Sequence, residues 1–180
     1  MLKVTIPQQE LWDEGQEKFI KVKSTTLQLE HSLVSLSKWE SKWHKPFLGN
    51  GDKSVEETVD YIRCMTLTQN VNPLVYSLID QKTMERISDY IADSMTATWF
   101  SKADKSAPSR EVITAEIVYY WMIMLNIPFE CQKWHLNRLL TLIRVCNAKN
   151  APSKKLSRKQ IAKRNAALNA ARRKNLNSKG

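Results

Sequence analysis

Two strongly apolar stretches, "REVITAEIVYYWMIMLN" (Arg110 to Asn126) and "FECQKWHLNRLLTLIRVCN" (Phe129 to Asn147), are separated only by Ile127 and Pro128. A joint that short forces two helices into antiparallel contact, so it predicts a helical hairpin at the heart of the fold. Ser109 stands where a cap of the first helix belongs, and Pro128 where a first helical residue tolerates proline. From Ile117 to Leu125 the first helix is apolar around most of its circumference, the pattern of a central helix buried on several sides. With 180 residues, 4 Gly and 6 Pro, the chain has room for one mainly helical domain with short joints and one appended segment.

The opening has a different period. "LKVTI" (Leu2 to Ile6) and "KFIKV" (Lys18 to Val22) alternate apolar and polar residues, with Pro7 and Gly15 in the polar stretch between them, which predicts two strands of a hairpin with a long loop. "TLQLE" (Thr26 to Glu30) continues the alternation as a third strand; the competing reading has Thr25 cap a helix with Gln28 closing the box. From Ser32 the spacing of Leu33, Leu36, Trp39 or Glu40, and Trp43 turns helical until Lys45-Pro46 stops it. Ser54 and Glu57 form a capping box at the head of "SVEETVDYIRCM". A short helix over Leu74 to Ile79, a longer one over Lys82 to Met95 and a loop over Ser101 to Ser109 complete the body.

Charge divides the chain sharply. Of 28 Lys and Arg, 10 lie between Ala151 and Gly180, where there is no acid, so the first 150 residues hold 28 − 10 = 18 bases against the chain's 18 acids. The expected organisation is therefore a helical domain over 1–150, with strands in about the first 30 residues, and a basic tail over 151–180, helical or disordered. No apolar run is long enough to cross a bilayer, and "MLKVTIPQQE" has no basic start followed by an apolar signal stretch. Three cysteines far apart in sequence fit a reducing compartment, so the expected location is a cytoplasm.

Catalytic and metal signatures are weak. Cys131 and His135 share the i, i+4 spacing of one helix and Cys146 follows, but zinc sites use paired ligands at close spacing on two elements, and no second pair exists. Cys64, Cys131 and Cys146 sit in apolar helical patterns where a thiol is inert, and His31 and His44 are too far apart along the first helix to share a proton. Glu56 and Glu57 occupy a first helical turn, where carboxylates favour the backbone dipole. With no Gly-rich phosphate loop, GxSxG or HExxH, the reading is a non-enzyme with no cofactor and no metal.

What stands out is "SKWESKWHKPF" (Ser37 to Phe47). On a helix Trp39 and Trp43 share a side with Leu36, while Lys38, Lys42 and Lys45 fall on a neighbouring side, which only half supports a base-stacking surface. An amphipathic core with solvated lysines accounts for the spacing. Each buried tryptophan removes ~200 Å² or more from water, so two on one short helix suggest apolar area in excess of what the body covers, hence a protein-facing patch. The basic tail lacks aromatic residues to stack bases, and offers solvation, a partner-binding helix or unspecific attraction to nucleic acid.

"LQLEHSLVSLSKWESKWHKPFL" (Leu27 to Leu48), "EETVDYIRCMTLTQNV" (Glu56 to Val71), "NIPFECQKWHLNRLLTLIRVCN" (Asn126 to Asn147) and "RNAALNAARRKNLNSKG" (Arg164 to Gly180) resemble a family of small proteins of long-tailed bacteriophages and prophages, the tail assembly chaperones. The resemblance implies a non-enzymatic protein of the host cytoplasm that coats the aggregation-prone tape measure protein and is absent from the mature virion. It also implies production in two lengths by ribosomal frameshifting, the lysine-rich ending suiting the shorter product. It transfers no residue-level site. From the residues themselves, the candidates for client contact are Trp39, Trp43, Phe47 and Trp134, with Arg172, Arg173 and Lys174 as the electrostatic share of the tail. Two alternatives stand beside this reading: a permanent tail or connector subunit of the virion, and a nucleic-acid-binding protein acting through its basic tail. Self-association is compatible with all three, and a membrane partner with none.

Overall fold

The computed structural model describes residues 1–15, 17–49, 51–100, 112–151 and 157–177. They divide into two units, Met1–Asn147 and Ala148–Gly180. The first is a mainly helical body fronted by two small antiparallel sheets.

Alternation sets the strand register. Strand β1 (Leu2–Ile6) pairs with β4 (Thr25–Leu29), Val4 lying opposite Leu27, so Val4, Ile6, Leu27 and Leu29 all point into the core. The outward face carries the Thr5 and Thr26 hydroxyls, hydrogen-bonded at 3.0 Å. Between them, β2 (Gln9–Asp13) pairs with β3 (Lys18–Val22). Leu2–Ile6 and Lys18–Val22 are thus both strands, but not each other's partners: the expected hairpin is replaced by one hairpin nested inside another. Gln9–Asp13, expected as loop, supplies the missing strand. Thr25 belongs to β4 and caps no helix.

Helix α1 (Leu33–Trp43) begins at Ser32, whose hydroxyl accepts from the Ser35 N–H while the Ser35 hydroxyl accepts from the Ser32 N–H. It ends where His44 turns left-handed at φ 51°. Helix α2 (Val55–Met65) starts on the Ser54–Glu57 box, with Glu56 and Glu57 at the positive end of its dipole. After it come α3 (Leu74–Ser77) and α4 (Gln81–Ala92), the latter capped by Asp80. The loop expected over Ser101 to Ser109 lies outside the described residues.

The predicted helical hairpin is where structure and expectation part most. Helix α5 spans Ala115–Met124, not Arg110 to Asn126, and Thr114 rather than Ser109 precedes it. Its C-terminal end is a Schellman motif: Asn126 sits at φ 52°, its N–H donates to the Ile123 carbonyl, and the Ile127 N–H donates to that of Met122. Pro128, at ψ 139°, is not helical; a 3-10 turn (Phe129–Lys133) follows and Trp134 at ψ 163° breaks the chain again. Only then does α6 (Leu136–Asn150) begin. The break exists because His135 forms an antiparallel bridge with Ser32, and the Leu136 N–H donates to the His31 carbonyl at 2.7 Å. Cys131 and His135 therefore do not share a helix.

Two apolar clusters make the core. One joins β1, β3, β4, α2, α3, α4 and Trp39; the other joins α5, α6, Ile127 and Cys131 with Leu33 and Leu36. Helix α1 contributes to both, and Phe47 packs against both. In the second unit, α7 (Arg158–Leu176) starts on a Ser157–Gln160 capping box, ends at left-handed Asn177, and is exposed along its whole length.

Candidate partner-binding surface

The aromatic residues of the "SKWESKWHKPF" stretch are brought together, but mostly facing inward. Trp39 is 1% exposed, and its indole N–H donates to the Glu57 carbonyl of α2 at 2.9 Å. Trp43, half-buried and stacked on Trp39 at 6.1 Å between centroids, donates its N–H to the Asp60 carboxylate at 2.9 Å. Phe47 stacks on Tyr61 at 3.9 Å and meets the edge of Trp39. The expectation of client contact at Trp39 is thus corrected: its ring is no contact surface, because it is enclosed in an apolar cluster and the Glu57 carbonyl satisfies its indole. Trp43 and Phe47 are half-buried, and the ammonium groups of Lys42 and Lys53 lie over their rings at 5.7 and 4.5 Å.

Lysines that read as a solvated face have a task in the same assembly. Lys42 pairs with Asp60 and Lys45 with Glu57, each at 2.5 Å. The Lys45 ammonium and the Ser54 capping bond hold the Glu57 carboxyl below the usual carboxylate range. The Asp60 carboxyl is also lowered: burial opposes its ionisation, but the bonds from Lys42 and Trp43 outweigh it. Trp134 is half-buried in the second cluster, with the Arg138 guanidinium 4.3 Å above its ring. Arg172, Arg173 and Lys174 stand exposed on the last turns of α7, in the other unit.

A buried polar seam, missed in the sequence, runs between the two clusters. His31 and His135 lie edge to face at 5.0 Å; His31 Nδ1 and the Tyr61 hydroxyl share a 2.5 Å hydrogen bond, and His135 Nε2 pairs with the Tyr90 carbonyl at 2.9 Å. Burial, reinforced by the neighbouring His135, lowers the pKa of His31 to about 4. Burial likewise raises the Cys64 thiol and the Tyr61 and Tyr90 hydroxyls. These groups hold their neutral forms, which suits a structural seam.

A cluster of exposed apolar side chains lies instead on α5. Ala115, Val118 and Met122 are buried, whereas Tyr120, Ile123 and Met124 are exposed at 56%, 58% and 60%. With half-buried Ile117 these form one stripe at i, i+3, i+6 and i+7 spacing, and exposed Phe129 beside Tyr119 extends the apolar area. The expectation that α5 is buried on several sides is therefore corrected: the fold covers one side of it. The helix is held firmly all the same. Thr114 makes no side-chain cap, and the buried Glu40 of α1 takes that role, one carboxylate oxygen accepting the Ala115 N–H and the other the Phe47 N–H, both at 2.7 Å. A second exposed apolar spot is the Trp12–Phe19 pair on the nested hairpin, edge to face at 5.0 Å.

Among the described residues no helix is long and apolar enough to cross a membrane. No family model matches the chain, and neither the curated proteins nor the solved structures include a match to it.

Proposed function

We propose that the protein is a non-enzymatic assembly factor that covers an apolar seam of a helical client, and that the client is the one its sequence resemblance implies, the tape measure protein of a long-tailed phage, kept soluble in the host cytoplasm. The observation that carries this reading is the outward stripe of α5, Tyr120, Ile123 and Met124, on a helix fixed at both ends by Glu40 and by the Asn126 motif.

Exposed apolar patches of this kind mark interaction sites, and a client helix laid in register meets them in helix-to-groove fashion. A methionine adapts its three torsions to varied partners, which suits a repetitive seam better than a shaped socket does. Covering each of the three side chains is worth about 1.5–3 kcal/mol before ordering costs are charged. That is modest per copy and adequate when many copies line one long client, and it permits release when the tail tube polymerises.

The test is co-expression with a tape measure fragment. The triple variant Tyr120→Ser, Ile123→Ser, Met124→Ser should leave the fragment in the pellet while its own thermal midpoint stays within a few degrees of wild type. Trp39→Ala, in contrast, should lose about 3–5 kcal/mol of stability in urea, because it empties a core site. A client that stays soluble with the triple variant would overturn the choice of surface.

A further inference from the structure

The α5 stripe leaves the second unit unexplained. Helix α7 carries seven cations, Arg158, Lys159, Lys163, Arg164, Arg172, Arg173 and Lys174, and no acid of its own, and every residue from Arg158 to Leu176 is exposed. At 3.6 residues per turn, Ile161, Leu168 and Leu176 fall on one side, but Arg158, Arg164 and Arg172 fall on that same side between them. Lys159, Lys163, Lys174 and Arg173 take the opposite side. The helix therefore has no apolar face to lay into a protein groove or onto the acyl region of a membrane, both of which demand segregation of apolar from charged residues.

A ligand that complements cations on all sides must place anions on both flanks of the helix at once. The major groove of duplex DNA does so: it is about 12 Å wide, admits one α-helix, and is walled on either side by phosphates. A-form RNA has a major groove too deep and narrow for this. Between the cations the exposed surface is filled by alanines, Ala162, Ala166, Ala167, Ala170 and Ala171, which let the backbone approach closely, and by the amides of Asn165 and Asn169. The Ser157 box and left-handed Asn177 fix both helix ends without help from another element. We infer that α7 is a duplex-DNA-binding helix that enters the major groove and is held there chiefly by phosphates, so that the protein has a second, polyanionic partner besides any protein client.

Fluorescence anisotropy of the full chain against a labelled 20-base-pair duplex tests this. Binding should weaken on the order of a thousandfold between 50 and 200 mM salt, as six or more phosphate contacts require. Replacing Arg172, Arg173 and Lys174 together by Ala should reduce the slope of log affinity against log salt by roughly 2.7, three contacts at about 0.9 each. The decisive variant is Ala167→Pro, which keeps all seven cations and breaks the helix; it should cost tenfold or more in affinity. Equal affinity of that variant would mean an unstructured polycation and overturn the groove-bound helix. So would tighter binding to duplex RNA of the same length, tighter binding to phosphatidylglycerol vesicles, or no DNA binding at 50 mM salt. The serine variant of α5 should bind DNA normally, so failure here and failure of the client reading are separable.

Discussion

His31 shows what a buried neutral imidazole contributes. Its ring is 2% exposed, faces the Tyr61 hydroxyl, His135 and the Phe47 ring, and has its pKa lowered from 6.5 to about 4. Because the unfolded chain binds a proton here at higher pH than the folded one, this contribution to stability is complete above about pH 7 and is lost as pH falls from 6.5 toward 4. The expected loss across that window is about 3 kcal/mol, read from urea midpoints at successive pH values. His31→Gln should flatten the profile in that window; an unchanged profile would assign the acid sensitivity elsewhere. The seam joins residues far apart in sequence, which is why each histidine alone, inspected against its chain neighbours, gave no sign of it.

At the level of elements, α5 depends on α1 for its beginning. Glu40→Gln puts an amide where two N–H groups seek acceptors, and should cost about 2 kcal/mol. The Ala115 amide should then exchange its hydrogen faster, whereas Glu56→Gln on the exposed head of α2 should stay within about 0.5 kcal/mol of wild type. The same contrast explains what could be read in advance. The Ser54–Glu57 box is a signal between near neighbours, and α2 begins where it says. The cap of α5 arrives from 75 positions away, so its N-terminal boundary is not legible in the neighbouring residues. Alternation marks Leu2–Ile6 and Lys18–Val22 as strands but carries no information about partners, and Gln9–Asp13 contains Glu10 and Asp13, acids that strands seldom favour. The outward stripe of α5 is illegible in the sequence for a related reason. Side chains declare how apolar they are, while only the completed fold declares how many neighbours they receive. For the indoles the relation is reversed, since the spacing of tryptophans does not show that α2 brings the Glu57 carbonyl within reach of Trp39.

For the molecule as a whole, α1 makes one body of two clusters: Leu33 and Leu36 anchor one and Trp39 the other, on a single rigid helix. Unfolding of the body should therefore be a single transition, and Leu36→Ala should lower the midpoint equally whether followed by a probe near Tyr76 in the first cluster or near Tyr119 beside the second. Distinct midpoints would show that the clusters melt separately. The charge excess belongs entirely to the other unit, whose residues take no part in the core. The nested hairpins bear on how the chain gets there. Once Asp13 meets Lys18, the stretch between Ile6 and Thr25 is already doubled back, and β1 finds β4 across a short remaining gap rather than a long floppy excursion. Assembly of the sheets then runs outward from the inner turn like a closing zip, and residues inserted between Asp13 and Lys18 lengthen the innermost bend while leaving Leu2 opposite Leu29.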